Sequence, residues 1–136
     1  MSVMFNLDVS KIMDNIETAN EFATMATATQ VLIDSNYYCK FDQGMLIATS
    51  LINTSVTFSD IGLTNPDITD ISGCGSDLDK GVIVWDTPYA QQQYYFENAQ
   101  TDKNPNAQMM WFHKAKDVHG DEWGKVYAAA FKKAMK

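Results

Sequence analysis

Arginine is absent from this sequence of 136 residues, and its ten basic residues are all lysines against seventeen acids, for a net charge of −7. Recognition of phosphate or guanine by a bidentate guanidinium group is therefore excluded. The negative charge also argues against a nucleic-acid-binding protein, because such proteins gain much of their affinity by neutralising phosphates with cations. The composition predicts a protein that does not bind nucleic acid specifically.

Long apolar runs and paired cysteines are missing as well. No segment approaches the roughly 18 consecutive apolar residues that a membrane span requires, and the first residues lack a basic region followed by an apolar stretch. We therefore expect a protein made in the cytoplasm, without a membrane segment. Cys39 and Cys74 belong to no CxxC pair, and each is interpreted as a buried reduced thiol.

Catalytic and metal-binding motifs are equally scarce. Gly73-Cys74-Gly75 is too short for a dinucleotide-binding loop. His113 and His119 lie six residues apart, so they do not share a helix face, and both are interpreted as surface residues. Residues 117–121 resemble a calcium loop only superficially, because histidine stands where an oxygen ligand is required. We predict a non-enzymatic protein with no cofactor and no metal.

The apolar content is sufficient for one folded domain, since 46% of the residues are hydrophobic and 20% are charged. Residues 1–136 are expected to form a single domain, with an N-terminal helix over 1–34 and an α+β body over 35–136. Asp8 is a candidate N-cap, and apolar residues then recur at steps of three and four as far as Ile33. This spacing predicts one buried face along the helix.

The body is expected to place helices on a small mixed or antiparallel sheet. Strands are predicted over 54–58, where polar and apolar residues alternate, and over 82–85, where the run is continuously apolar. Residues 59–79 have no clear periodicity and are interpreted as a long loop, with a short strand near 68–71 as an option. Four further helices are predicted from apolar periodicity and capping residues, over residues 45–52, 90–96, 107–116 and 120–136.

Charge is distributed unevenly along the chain. The last 26 residues contain six lysines and three acids, a net of +3, whereas the preceding 110 contain four lysines and fourteen acids, a net of −10. A chain with this polarity could stack head to tail on copies of itself or on a neighbour. A solvated C-terminal helix explains the lysines equally well.

Contact-forming side chains are concentrated in VIVWDTPYAQQQYYF, residues 82–96, which hold five aromatics, three successive glutamines and a single charge, Asp86. Tyrosine and tryptophan combine large apolar area with one polar group, which suits surfaces that become buried on assembly. Glutamine adds hydrogen bonds without the cost of desolvating a charge. We interpret the tryptophan side as core. The candidate oligomer or partner interface comprises Tyr89, Gln92, Gln93, Tyr94, Tyr95 and Phe96.

Several blocks of the sequence resemble the minor capsid protein family of tailed bacteriophages, which is related to phage tail-completion proteins. Asp42-Gln43-Gly44 is similar to an Asp-Thr-Gly turn of the latter, with glutamine in place of threonine. The resemblance extends over roughly residues 30 to 136 and is specific in the C-terminal half. The blocks that carry it are Trp85-Asp86-Thr87-Pro88-Tyr89-Ala90, Tyr94-Tyr95, Asn104-Pro105-Asn106-Ala107 and the run 110–116 with Trp111, Phe112, Lys114 and Lys116.

The resemblance implies a structural virion protein at the head-tail junction of a long-tailed phage, made in the cytoplasm of the host bacterium. Such neck proteins form rings, commonly hexamers or dodecamers, so the expected partners are copies of this chain and the adjacent neck and tail proteins. DNA would pass through the ring without specific binding. An acidic lumen would repel phosphate, which predicts an exposed rim or channel position for Asp60, Asp67, Asp70, Asp77 and Asp79.

Three alternatives stay open. The chain could be a tail-completion or tail-terminator protein that caps the tail tube. It could also be a module that binds an extended peptide along the aromatic stretch, or a small metal or nucleotide enzyme. If Tyr94 and Tyr95 are interface residues, replacing either by alanine should leave a folded monomer and prevent ring formation; unfolding would identify the residue as part of the core.

Overall fold

Two long antiparallel helices dominate the computed structural model, which describes residues 9–41, 44–68, 71–97, 99, 101 and 103–135. They are α1, Val9–Tyr37, and α5, Trp111–Ala134, and their mutual contact is the most extensive in the described chain. The elements between them are α2 (Met45–Leu51), α3 (Phe58–Ile61), a 3₁₀ turn (Leu78–Lys80) and α4 (Ala90–Tyr95).

The predicted α+β architecture is wrong, because the described residues form helices and irregular segments but no β-sheet. The β-type backbone pairing among these residues is limited to one antiparallel bridge between Asp77 and Val82. Ile83 and Trp85, from the predicted strand 82–85, pack against the helical core instead. The apolar run is only partly covered, because Val82 is 45% exposed and Ile83, Val84 and Trp85 are half-buried. The covered residues pack on helices and not on neighbouring strands.

The other predicted strands fail for local reasons. Residues 54–57 are irregular and lead directly into α3, where Thr57 forms a reciprocal capping box with Asp60. The Asp60 N–H donates to the Thr57 hydroxyl at 3.3 Å and the Thr57 N–H donates to the Asp60 carboxylate at 2.9 Å. Of the optional strand near 68–71, positions 69 and 70 lie outside the described residues. Most of the predicted loop 59–79 is irregular, with α3 at its start and the 3₁₀ turn at its end.

The long N-terminal helix is confirmed and continues beyond its predicted end to Tyr37. Small buried residues, Ala19 and Ala23, lie on the face that meets α5, and their size lets the two backbones approach closely. The Trp123 indole N–H donates to the Asp34 carboxylate at 2.7 Å. The Tyr127 hydroxyl donates to the side-chain oxygen of Asn20. These two polar contacts set the antiparallel register.

A second correction concerns the C-terminal region, where helices over 107–116 and 120–136 were expected. The structure forms one continuous helix, α5, because Ala115, Trp123 and Ala130 are all buried along one face and a break would expose part of it. Gly120 lies inside this helix, where it costs about 1 kcal/mol relative to alanine. Packing on α1 offsets that cost.

The apolar core lies where the C-terminal half of α1 meets α2, α3 and the start of α5. The predicted helix over 45–52 is confirmed as α2, which buries five consecutive residues from Leu46 to Ser50. Gly44 precedes it as the N-cap, while Asp42 and Gln43 of the predicted turn lie outside the described residues. The largest side chains of the core are Phe41, Phe58 and Trp111, and the buried aliphatic residues around them include Leu32, Leu46 and Ile47.

No helix within the described ranges is long and apolar enough to cross a membrane. Among the acids predicted to line a rim or channel, those that the structure describes are exposed, although Asp60 also caps α3. Asp70 lies outside the described residues. The exposed ones are Asp60, Asp67, Asp77 and Asp79.

Candidate functional site

The aromatic segment 82–96 is held to the helices by buried polar side chains. The Trp85 indole N–H donates to the Asn36 side-chain oxygen at 2.8 Å, and the Asn36 amide donates to the Ser50 hydroxyl at 2.9 Å. The backbone N–H of Asp86 donates to the Thr49 hydroxyl at 3.0 Å. This chain of hydrogen bonds joins α1, α2 and the segment, and it explains why buried polar residues occur in α1 and α2.

Tyr94 belongs to a cluster of aromatic rings around Trp111, which is only 1% exposed. The Tyr94 and Trp111 rings meet edge to face, with centroids 4.7 Å apart, and Trp85 meets Trp111 at 5.7 Å. The Tyr94 hydroxyl hydrogen bonds to His113 Nδ1 and accepts the His113 backbone N–H at 3.2 Å. Burial raises the pKa of Tyr94. This tyrosine therefore fixes α4 to the start of α5.

The opposite side of α4 is exposed, and no residue of this helix is fully buried. Tyr95 is 59% exposed and Phe96 is 51% exposed, and Tyr89 and Gln92 are exposed as well. We call these four exposed residues the α4 face. Tyr89, Gln92 and Tyr95 recur at intervals of three, and Phe96 follows directly after the helix. Of the six predicted interface residues, Gln93 and Tyr94 are partly buried and lie off this face.

Beneath Phe96 lies a buried lysine that the sequence did not single out. The Lys40 ammonium donates to the Phe96 carbonyl oxygen and lies 5.6 Å from the centre of the Phe96 ring. Burial lowers the pKa of Lys40. The contact ties the end of α4 to the segment after α1, so the position of the exposed Phe96 ring is set by the fold.

The polar side chain of Asn104, in the sequence block 104–107, has a structural role. Asn104 is fully buried, and its side-chain amide donates to the backbone carbonyls of Tyr37 at 3.0 Å and Cys39 at 2.9 Å. It thereby satisfies carbonyl groups at the C-terminus of α1. Pro105 next to it is exposed.

The family-motif residues therefore divide into two groups. Trp85, Asn104 and Trp111 are buried or partly buried and connect elements of the fold, and Phe112 stacks on Trp123 with ring centres 6.0 Å apart. The exposed group consists of Asp86, Pro88, Tyr89, Pro105, Lys114 and Lys116.

An open apolar groove of about 550 Å³ runs beside α4, between α1 and α5. No charged residue lines it. A smaller cavity of about 270 Å³ lies under α4 and shares Trp85 and Tyr94 with the groove. The groove is lined by Thr24, Thr27, Ala28, Val31, Gly81, Ile83, Trp85, Tyr94, Phe112 and Tyr127.

The remaining candidate groups for metal chemistry are not brought together. Within the part of the chain that the structure describes, no three His, Cys, Asp or Glu side chains are arranged to hold a metal ion. His113 is engaged by Tyr94, and His119 Nδ1 lies 3.0 Å from the Glu122 carboxylate.

The prediction of a buried thiol is confirmed for Cys39 and wrong for Cys74, which is exposed. Cys74 lies in an irregular segment held to Asp86: its backbone N–H donates to the Asp86 carboxylate at 2.7 Å. The interaction of the thiol with the same carboxylate raises the pKa of Cys74. The backbone N–H of Cys74 lowers the pKa of Asp86.

We expect Cys74 to react slowly with an alkylating reagent despite its exposure, because the Asp86 carboxylate disfavours the thiolate. In the Asp86→Asn variant, the pH midpoint of alkylation should move down toward that of a free cysteine, as measured by mass spectrometry over a pH series. Buried Cys39 is the internal control and should stay unmodified in the folded protein. An unchanged midpoint in the variant would contradict the assigned contact.

The Asp86 carboxylate also makes the stability of the fold depend on pH. Its pKa is lowered in the folded state, so its hydrogen bond stabilises the fold above the pKa of the unfolded chain and is lost as the pH falls through the folded value. The melting temperature of the native protein should therefore drop more on acidification than that of Asp86→Asn. Parallel acid profiles for the two proteins would be inconsistent with this linkage.

Comparison with protein-family models, with curated proteins and with solved structures finds no match for this chain. The contacts and exposure of the residues above are therefore the structural basis for assigning a function.

Proposed function

We propose that this protein is a non-enzymatic assembly component that binds neighbouring subunits through the α4 face. The observation that carries the proposal is the division of α4 into two sides. Tyr94 is fixed by Trp111 and His113, while Tyr95 and Phe96 on the outside remain exposed. Large aromatic side chains held in place but left in solvent are typical of surfaces that become buried on association.

The physical chemistry of the α4 face suits protein contact. Its aromatics are positioned by a short helix anchored at both ends, so little conformational entropy is lost when a partner covers them. The only charged side chain within residues 82–96 is Asp86, so burial of the face requires no large ionic desolvation. Gln92 supplies a neutral donor and acceptor at its centre.

The sequence blocks suggest which assembly this is. Their resemblance to phage minor capsid proteins supports a place in the head-tail junction of a virion, in a hexameric or dodecameric ring, with adjacent neck and tail proteins as further partners. Exposed acids in loops, such as Asp67 and Asp79, are compatible with a channel through which DNA passes without binding. A tail-completion role would use the same surface in a ring on the tail tube.

Copy number in the virion tests the proposed location. Quantitative mass spectrometry of purified phage particles encoding this chain should find about six or twelve copies relative to portal and major capsid subunits, the copy numbers that the resemblance to ring-forming neck proteins implies. Absence from finished particles would overturn the proposed neck role. A high copy number, comparable with the major capsid protein, would also contradict it.

Removal of two exposed rings tests the surface itself. The double variant Tyr95→Ala with Phe96→Ala should weaken self-association by about 2 kcal/mol or more per contact while the circular dichroism spectrum stays native. Sedimentation velocity over a concentration series measures the effect. The matched control is Tyr37→Ala, another exposed aromatic away from α4, which should assemble normally. Equal assembly of both variants would rule out the α4 face as the contact.

The apolar groove favours one second candidate function, recognition of an extended apolar peptide. Its lining of Val31, Ile83 and Phe112 has no charge, and Tyr94 and Trp85 form its wall next to α4. A partner segment with alternating apolar residues would fit such a surface. Peptide binding by a chain that remains monomeric under all conditions would favour this candidate over assembly.

A further inference from the structure

We infer that copies of this chain associate head to tail, with the outer acidic side of α1 in one copy against the outer lysine side of α5 in the next. The inference rests on the proposed self-association and adds a second contact to it, distinct from the α4 face. It follows from three features of the described helices. The acids of α1 and the lysines of α5 point away from the surface between the two helices, these charges form no ion pairs with each other, and exposed apolar residues lie beside the acids.

The acidic side belongs to the first half of α1. Asp14, Glu17 and Glu21 follow one another at steps of three and four, so they share a face, and all three are exposed. Glu21 lies two residues from each of the buried alanines Ala19 and Ala23, which is about 200° around the helix from both. The acids therefore point away from α5. We call these three residues the acidic side.

The lysine side belongs to the second half of α5. Lys125 and Lys132 are exposed and seven residues apart, two turns along one face. Each lies two residues from a buried side chain, Trp123 or Ala130, and hence about 200° from the surface that packs on α1. No acid occurs in α5 after Glu122. We call Lys125 and Lys132 the lysine side.

The two sides cannot neutralise each other within one chain. α1 and α5 pack directly against one another and both sides point outward, so they lie on opposite surfaces of the helix pair. Among the described residues the ion pairs are Lys80 with Asp77 and His119 with Glu122, and neither involves the acidic or the lysine side. Unpaired charges of opposite sign on opposite surfaces are complementary between copies.

Exposed apolar residues lie beside the acids of α1. They indicate that this surface contacts a protein, because a surface that stays in solvent would be expected to be polar. Met25 is exposed and lies one turn along the same face of α1 as Glu21, and Phe22 is exposed next to this face. On the facing surface, Ala128 and Ala129 are exposed between the two lysines and leave room for these larger side chains. A second copy supplies both the charge and the shape complement. Because the two surfaces differ, the contact is heterologous and can close a ring by rotation.

Charge reversal on one side at a time tests the contact in the full-length chain. Glu17→Lys with Glu21→Lys makes both sides positive, and Lys125→Glu with Lys132→Glu makes both sides negative. Each variant alone should self-associate at least about tenfold more weakly at low salt, because like charges then meet. A 1:1 mixture should recover association, since opposite sides face each other again. Light scattering and sedimentation velocity at about 0.05 M and 0.5 M salt measure this.

The control variant is Asp67→Lys, which reverses the charge of an exposed acid that belongs to neither α1 nor α5 and should associate like the native chain. Helix content and melting temperature verify that all variants fold. If both reversed variants assemble normally, or if their mixture gains nothing, the contact is overturned while assembly through the α4 face stands. A native chain that stays monomeric at every concentration and salt overturns this contact together with the self-association on which it rests.

Discussion

Replacing Trp111 by alanine should lower the free energy of unfolding by about 3–5 kcal/mol, the range measured for removing a large buried ring. Trp111 is the largest fully buried side chain among the described residues and contacts the rings of both Trp85 and Tyr94. Its loss would release the aromatic segment from the start of α5. Urea unfolding followed by circular dichroism measures the change, with the midpoint as the readout.

Two further variants show whether the lower stability of Trp111→Ala comes from lost packing in the core. Trp111→Phe keeps most of the packing and should cost only about 1 kcal/mol, since the cavity left is small. Tyr95→Ala removes a ring that is 59% exposed and should cost less than about 1 kcal/mol. If Trp111→Ala were no more destabilising than Tyr95→Ala, the aromatic cluster would not be part of the core.

Alanine at Gly75 should destabilise the protein by about 3 kcal/mol, because two penalties coincide there. The backbone has a φ of 72°, in the left-handed region, and an added Cβ would lie 2.6 Å from the Ile52 carbonyl oxygen and 2.9 Å from the Ile52 Cβ. Left-handed strain alone costs about 1–2 kcal/mol. A clash with a backbone atom cannot be relieved by rotating a side chain, so the segment must move away from α2.

Two other glycines separate these penalties. Gly62 has a φ of 86° but no atom within 4 Å of an added Cβ, so Gly62→Ala should cost only the strain of about 1–2 kcal/mol. Gly124 lies in α5 with open space around it, and Gly124→Ala should stabilise by about 0.5–1 kcal/mol. Chemical denaturation should therefore find Gly75→Ala the least stable of the three variants, Gly62→Ala intermediate and Gly124→Ala the most stable. Equal effects at Gly62 and Gly75 would mean that the Ile52 contact is absent.

The patterns with a helical period predicted helices, although two separate helices were predicted where the structure forms the single helix α5. The predicted strands did not form a sheet among the described residues. The apolar spacing of α1 continues for several turns, so its helical character follows from local geometry. Residues 82–85 are only four long, and a short apolar run records burial without recording what covers it. A sheet requires a partner strand, and the helices α1 and α5 occupied the position that a partner strand would have needed.

The candidate site was predicted as a segment but not residue by residue. Six neighbouring residues from Tyr89 to Phe96 were assigned to one surface, yet Tyr94 and Tyr95 point to opposite environments. Adjacent positions in a helix lie about 100° apart, so two consecutive tyrosines cannot both lie at the centre of the same face. In α4, Tyr94 is the one that faces the core. The inward partners, Trp111 and His113, are distant in sequence, and their approach depends on where α5 packs.

Composition and spacing along short stretches were enough to predict the long N-terminal helix, the α2 helix, the uneven distribution of charge and the aromatic segment. Three features depend on the folded arrangement: no sheet forms among the described residues, Asn36 and Asn104 are buried and connect elements, and the acids of α1 and the lysines of α5 face opposite ways. These features depend on contacts between residues far apart in the chain, and local pattern carries no information about which distant surface will cover an apolar face.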